Sequence, residues 1–542
     1  MTTDKGDWKA RAAAYKQSIL DAIPPEWRVD ESVLAGLKPG SEVRFVAQQT
    51  ILTKDEIHLL ARDATTLAAD IAAGRFTAVA TATAYAKSAA VAHQVTNCLM
   101  DFFPDEALAR AKELDEYYAK NGKTVGPLHG VPVSVKDMVA VKGRRMTAGF
   151  LAIAEGPYGV SADDATLVAA LRAAGAVFYC KTTNPQAIMH LETDSFLGPT
   201  TNPLNTALTC GGSSGGEAAL MAAGAAVLGI GTDIGGSIRN PCANCGLYGF
   251  KPTAARLPRG GMMGGMPHQE SIVGATGPQT VSARDMRLFI ETVLASEPWR
   301  IDPGCVGMPW KQTQGWRYGG AKPRVGVMWD DGLVSLQPPM KRALREAVDK
   351  LKAAGFDLVD VAPYKSKEAW DLINTLYFTD GGKRVRDLCA ETGEPILPLT
   401  QWVMQGAREI DATELRELVK TRDGFRAAYN QYWNEQKIDV LLCAPGYGTA
   451  QPLGTTKYWN YTSFFNLVDY PAGVFPASVV KPEEDRKEEK TAFITDMDRY
   501  CSEIYDPKVF WNAPVGLQVV GQRWDDEATL EALTLISKVV TA

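Results

Sequence analysis

The 542-residue chain is 46% hydrophobic and 22% charged, the composition of an ordinary globular protein. Its formal net charge of −6 argues against a nucleic acid or an anionic membrane surface as the main partner. Nine cysteines without disulfide-dense spacing, the lack of an apolar leader and the lack of any run of about 18 apolar residues predict a reduced, cytoplasmic protein without a membrane span.

Residues 1–97 are predicted to form a helical N-terminal cover. Residues 9–23 have a helical pattern that ends at a Pro-Pro pair, and residues 53–56 are typical of a capping box at a helix start. The alanine-rich stretch 64–93 is predicted as two helices separated at Gly74.

Residues 98–300 form the predicted core of the chain. Period-two alternation from Val131 to Val135 predicts a half-buried strand with Lys136 at its end. Most lysines extend to solvent, but one at the end of an apolar strand is a better candidate for burial. Residues 164–174 and 176–180 follow as a helix and a strand, a unit typical of α/β proteins.

The remaining residues, 301–542, repeat this alternation, so we assign them to the same α/β domain. Strands are predicted at 324–329, 356–361, 438–443 and 513–521, and helices at 339–354 and 527–540. The length of the chain alone favours two domains, but no linker divides it, so the alternation predicts one large sheet. A mostly helical, aromatic-rich insertion at about 365–433 is predicted to cover a pocket.

Two glycine-flanked serines stand out within the core segment. Ser213 lies in Gly-Gly-Ser-Ser-Gly-Gly-Glu, and Ser237 lies in Gly-Thr-Asp-Ile-Gly-Gly-Ser-Ile-Arg. A helix-like and a strand-like segment separate the two turns, and this layout can bring both serines to one place. The amides of residues 234–237 could then point into a common space, as an oxyanion hole requires.

Other interpretations of the glycine-rich segment fit less well. A flexible linker is inconsistent with the apolar sequence on both sides, and neither a phosphate-loop nor a dinucleotide-binding motif is complete. A nucleophile elbow at Ser213 needs a buried strand before it, whereas residues 201–206 have a loop-like sequence. His268 is the only histidine that follows Ser213, and His129 is interpreted as a turn residue.

No metal and no cofactor is predicted. Cys242 and Cys245 form a lone Cys-x-x-Cys pair without a second pair or nearby histidines. Glu217 and Asp233 could be mistaken for catalytic acids, but their positions at a helix start and a glycine turn favour capping or structural roles.

Lys136 together with the two glycine-serine blocks resembles the amidase signature family, and the resemblance is closest to fungal acetamidase-type general amidases. It implies one mixed, twisted β-sheet sandwiched between helical layers. It also implies a Ser-Ser-Lys triad in which Ser237 is the nucleophile, Ser213 the bridging serine, usually with a cis peptide bond, and Lys136 the general base. The implied oxyanion-hole amides belong to Ile234, Gly235, Gly236 and Ser237, and Ile188 and Met189 fall where relatives line the acyl pocket.

The chemistry is consistent with that resemblance. A serine needs a base to become a good nucleophile, and a lysine can serve only if its surroundings lower its pKa. We therefore expect a hydrolase that cleaves the C–N bond of a small carboxylic amide to an acid plus ammonia or an amine. Two alternatives are a glutaminase-type subunit of a tRNA-dependent amidotransferase and a non-catalytic binding protein on the same fold. The partner expected is the small amide substrate, and a homodimer is left open.

Overall fold

The computed structural model describes residues 7–157, 159–311 and 315–542. Helices precede, separate and follow the strands along these ranges. The α-helices are α1 Trp8–Asp21, α2 Glu31–Gly36, α3 Val46–Thr50, α4 Lys54–Leu60, α5 Ala64–Ala72, α6 Ala78–Thr96, α7 Pro104–Asn121, α8 Leu151–Glu155, α9 Thr166–Ala173, α10 Gly215–Ala222, α11 Arg239–Cys245, α12 Ala283–Ala295, α13 Pro338–Ala353, α14 Ser366–Tyr377, α15 Lys383–Thr392, α16 Pro398–Val403, α17 Ala412–Gln436, α18 Asn460–Leu467, α19 Asp496–Glu503 and α20 Asp526–Thr541.

Most strands join one sheet of 11 strands, in the order β1-β3-β2-β8-β10-β9-β14-β15-β13-β11-β12. Two further sheets have two strands each, β4 with β5 and β6 with β7. The strands are β1 Leu99–Phe102, β2 Pro132–Lys136, β3 Val177–Thr182, β4 Asp194–Ser195, β5 Gly198–Pro199, β6 Thr201–Asn202, β7 Asn205–Thr209, β8 Leu228–Asp233, β9 Tyr248–Lys251, β10 Ala275–Thr280, β11 Val325–Val327, β12 Leu358–Asp360, β13 Val440–Cys443, β14 Ala472–Val479 and β15 Pro514–Gly521.

The N-terminal helices begin where the sequence predicts. Thr53 and Glu56 form the expected capping box of α4, each side chain accepting from the backbone N–H of the other residue. The alanine-rich stretch is divided near Gly74 into α5 and α6, and the Thr77 hydroxyl accepts from Ala80 N–H at the start of α6.

The large sheet is mixed, as the resemblance implied. β2 runs parallel to both β3 and β8, and β11 runs parallel to β12 and β13. The strands between these two parallel groups pair in antiparallel fashion, from β8 through β10, β9, β14 and β15 to β13. The predicted α/β fold with one large mixed sheet is therefore confirmed.

Helices cover both faces of this sheet. In β13, Val440 and Leu442 belong to one hydrophobic cluster, whereas Leu441 and Cys443 belong to a second cluster. Because successive side chains of a strand point to opposite faces, both faces of β13 are buried. The first cluster contains residues from Ala12 to Val540, so the predicted cover, core and C-terminal segments share one hydrophobic core.

Parallel pairing brings together the segments that carry the predicted site. Val135 of β2 is in register with Ile230 of β8, so the ends of these two strands, Lys136 and Asp233, lie at the same edge of the sheet. The expectation of a loop at residues 201–206 is wrong, because β6 and β7 form a short hairpin there. That hairpin lies outside the large sheet. Within the described ranges, no helix is both long and apolar enough to cross a membrane.

Candidate active site

Lys136, the last residue of β2, is completely buried. Its Nζ donates to Ser213 Oγ at 2.7 Å and to Thr232 Oγ1 at 2.8 Å. Burial lowers the pKa of Lys136 from 10.5 to about 7, although three nearby carboxylates act in the opposite direction. A lysine with this pKa is partly unprotonated at neutral pH, so it can accept a proton from a hydroxyl group.

Ser213 lies two residues before α10 and is 1% exposed. The peptide bond between Gly212 and Ser213 is cis. The start of α10 approaches β3 so closely that a Cβ on Gly216 would lie 2.4 Å from the Thr183 nitrogen. Glycine at this position therefore permits the helix to begin close to β3.

Ser237 lies in the turn between β8 and α11 and is 2% exposed. The Ser214 N–H donates to the Ser237 carbonyl at 3.1 Å, which joins the two serine turns. Ser213 and Ser237 line the same cavity. The Ser237 hydroxyl makes no hydrogen bond to any residue in the described ranges, so the Lys136–Ser213 contact is present without a direct bond from Ser213 to Ser237.

Asp233 stabilises the Ser237 turn through hydrogen bonds to backbone amides of the turn. One oxygen accepts from Gly236 N–H at 2.8 Å, and the other accepts from Ile238 N–H at 3.1 Å. The carboxylate also forms a fully buried ion pair with Arg239. Burial would raise the pKa of Asp233, but Arg239 holds it well below its ordinary value. The predicted structural role of Asp233 is consistent with these contacts.

The amides of the turn divide into two groups. Gly236 N–H, expected in the oxyanion hole, already donates to Asp233, which corrects the expectation that four amides are available. Across the ranges that the structure describes, the amides of Ile234, Gly235 and Ser237 donate to no protein acceptor. Gly236 has φ of +133°, and a Cβ there would lie 2.3 Å from Thr462 Oγ1, so only glycine fits.

A cavity of about 710 Å³ surrounds the two serines. Ile188 and Met189, expected in the acyl pocket, line it, and so does Phe378 from the helical segment after β12. Six methionines contribute to its wall, which gives an apolar and adaptable surface. They are Met138, Met146, Met189, Met262, Met263 and Met266.

The cavity is not purely apolar. Arg259 and Arg384 also line it, and the Nε of each is buried without a hydrogen-bond partner. Neither guanidinium forms an ion pair with a residue of the described part of the chain. The sequence analysis did not place these two arginines at one site. They belong to segments that lie far apart in the sequence, and local periodicity does not show which distant segments meet.

Other residues singled out from the sequence lie elsewhere or have other partners. His129 Nδ1 accepts from Val125 N–H at 3.1 Å, as a turn residue. His268 lies at the cavity but is exposed. Glu217 is buried and accepts from the hydroxyls of Ser134 and Thr182, and burial raises its pKa to about 7.

Cys242 and Cys245 are buried free thiols. Apart from residues 1–6, 158 and 312–314, the structure contains no group of three or more His, Cys, Asp or Glu residues that could hold a metal ion.

Two residues of the site were missed in the sequence analysis. Thr232 contacts Lys136, and the alternation of β8 could have identified it, since Ile230 and Thr232 share one face. Tyr377 belongs to the insertion that was predicted to cover a pocket, and it contacts the Ser237 turn through a hydrogen bond to the Ile234 carbonyl. No local pattern connects these two positions, which are 143 residues apart.

Comparison with known proteins identifies the family of the chain. A family model described as Amidase matches residues 80–530. A Schizosaccharomyces pombe protein with a provisional amidase designation is 46% identical over 98% of this chain and 99% of its own length. An acetamidase of Emericella nidulans is 36% identical over 98% of this chain and 99% of its own length.

A solved structure named fatty acid amide hydrolase has the same fold. It superimposes with a TM-score of 0.93 at 34% identity and covers 99% of this chain and 95% of its own. The chain therefore belongs to the amidase signature family, and it is a hydrolase that acts on the carbon–nitrogen bond of amides.

Proposed function

We propose that this amidase works through a Ser237 acyl-enzyme, with Ser213 as the proton relay and Lys136 as the general base. The observation that carries the proposal is the 2.7 Å contact between Lys136 Nζ and Ser213 Oγ, on a cavity that Ser237 also lines. Burial of Lys136 supports it further, because a base must be unprotonated to act.

The proposed acylation step moves one proton along the triad. Ser237 Oγ attacks the amide carbonyl carbon and transfers its proton to Ser213 Oγ, which gives its own proton to Lys136 Nζ. The relay then runs in reverse and protonates the amide nitrogen, so the C–N bond breaks and ammonia or an amine leaves. Water, activated by the same relay, hydrolyses the ester to release the acid and Ser237.

Hydrogen-bond donors are needed to stabilise the negative charge that develops on the carbonyl oxygen in the transition state. The amides of Ile234, Gly235 and Ser237 have no protein acceptor in the described ranges, and they lie in the turn that carries the nucleophile. We assign them as the oxyanion hole. Loss of one such donor typically costs about 10²–10³-fold in kcat.

The substrate class follows from the cavity. Its volume of about 710 Å³ falls within the range that holds drug-sized ligands, so there is room for an alkyl or aryl amide with more than a short acyl group. The methionine-rich wall favours neutral apolar groups. Charged side chains of both signs also line the cavity, Arg259 and Arg384 as well as Glu270 and Asp302, so the expected preference for neutral amides rests on the methionine-rich wall.

A fluorophosphonate probe with mapping of the labelled peptide tests the proposed nucleophile. We expect one label on Ser237 in the unsubstituted protein and in the control variant, and neither label nor hydrolysis of neutral amides in Ser237→Ala. Arg408→Ala serves as a control, since Arg408 is an exposed residue paired with Glu414. Full activity in Ser237→Ala together with an inactive His268→Ala would show that the nucleophile and its base lie elsewhere.

A further inference from the structure

The backbone of the Ser237 turn is held by two hydroxyl groups from the helices that follow β12 and β13. Tyr377, the last residue of α14, is 2% exposed, and its Oη donates to the Ile234 carbonyl at 3.0 Å. Thr462, in the first turn of α18, donates to the Gly235 carbonyl at 2.7 Å. Both contacts involve the carbonyls of the peptides whose N–H groups belong to Gly235 and Gly236.

These two hydrogen bonds determine where the amides point. A trans peptide is planar, and its N–H points away from its C=O. When Tyr377 holds the Ile234 carbonyl, the Gly235 N–H of the same peptide must point to the opposite side. Thr462 fixes the next peptide in the same way, and the Gly236 N–H of that peptide reaches Asp233.

We propose that Tyr377 is a positioning residue that orients the Gly235 amide as an oxyanion-hole donor. The proposal rests on the proposed acyl-enzyme function of Ser237. Tyr377 acts through the Ile234–Gly235 peptide and does not itself line the cavity. Its role is to prevent this peptide from rotating, since rotation would turn a carbonyl towards the developing oxyanion.

The surroundings of Tyr377 suit this role. A Cβ on Gly235 would lie 2.7 Å from Tyr377 Oη. Glycine at position 235 therefore leaves room for the tyrosine hydroxyl to approach the turn. Burial and the charge of Asp233 keep the pKa of Tyr377 above its ordinary value, so the phenol retains its proton as a donor. The next residue, Phe378, lines the cavity, so the end of α14 contacts both the turn and the substrate space.

Tyr377→Phe tests the proposal because it removes only the hydroxyl group. We expect kcat to fall about 10- to 100-fold, less than complete loss of an oxyanion donor, with KM changed less than about threefold. The affinity for a trifluoromethyl ketone analogue of the substrate, which forms an oxyanion on Ser237, should fall by the same factor as kcat. Labelling of Ser237 should still occur, at a lower rate.

Tyr179→Phe is the matched control. Tyr179 is 1% exposed, and its hydroxyl also donates to a backbone carbonyl, that of Ala225 at 2.6 Å. We expect both variants to lose similar thermal stability, but only Tyr377→Phe to lose kcat and affinity for the ketone. Equal losses of kcat in the two variants would show that Tyr377 has only a structural role.

Tyr377→Met provides a second test if Tyr377→Phe does not fold. It also removes the hydroxyl that donates to the Ile234 carbonyl, so affinity for the ketone should again fall more than affinity for the substrate. Unchanged kcat and ketone affinity in every folded variant would overturn the inference while leaving the proposed function intact. Absence of turnover and of Ser237 labelling in the unsubstituted protein would instead overturn the proposed function.

Discussion

The pH dependence of amide hydrolysis is the sharpest consequence of burying Lys136. Burial lowers its pKa from 10.5 to about 7, a difference equivalent to about 5 kcal/mol between the two protonation states. With a pKa of about 7, roughly a tenth of the lysine is neutral at pH 6, half at pH 7 and nine tenths at pH 8. An ordinary lysine would be almost entirely protonated over this range.

The pH profile of kcat/KM, which reports the pKa of the free enzyme, measures this fraction. Because only the neutral amine accepts a proton, kcat/KM should rise about tenfold between pH 6 and pH 8 and then level off. Lys136→Ala should lose about 10²- to 10⁴-fold. The loss should be larger for an amide than for the matched ester, because an amine leaves only when protonated.

Two results would refute this reasoning. A rate that keeps rising towards pH 10 would mean that Lys136 keeps an ordinary pKa. A Lys136→Ala variant that retains the same pH profile and most of its activity would mean that another group is the base. Lys383→Ala is the control, since Lys383 is an exposed lysine paired with Asp387.

Three further predictions follow from the site. Ser213→Ala should retain activity between that of the unsubstituted enzyme and that of Lys136→Ala, because a water can partly replace the relay hydroxyl; a loss greater than that of Lys136→Ala would contradict the relay. Dialysis against a chelator should leave kcat/KM unchanged, and a loss that zinc restores would contradict a triad without metal. Neutral amides should be preferred to isosteric ammonium-bearing amides by about tenfold, or ~1.4 kcal/mol, because the methionine-rich wall would desolvate the ammonium group; equal kcat/KM values would contradict an apolar acyl pocket.

The strand that ends at Lys136 and the glycine turns that carry the two serines were predictable because their signals are local. Alternation in β2 placed Lys136 at the end of a strand, and glycines around the serines marked tight turns. Neighbouring parallel strands then bring such strand ends together. The family resemblance supplied the mixed sheet, which alternation alone does not specify, and the roles of the individual residues, which remain proposals.

The finer parts of the site depend on contacts between distant segments. Tyr377 reaches Ile234 only after α14 is folded over the sheet, and Arg384 reaches the cavity from α15. The Gly236 amide was expected to be available, but Asp233, three residues earlier, satisfies it. A glycine-rich turn predicts that amides are accessible, whereas the side chains around it decide which of them are already bonded.

Direct observation of the acyl-enzyme tests the central claim, that Ser237 is the nucleophile of a Ser-Ser-Lys amidase. Intact-protein mass spectrometry during turnover of a slowly deacylating ester should show one added acyl group, mapped to Ser237 and absent from Ser237→Ala. Hydroxylamine should convert this acyl group to the hydroxamate. An unmodified enzyme during active turnover with no hydroxamate formed, or an acyl group on any residue other than Ser237, would contradict the account.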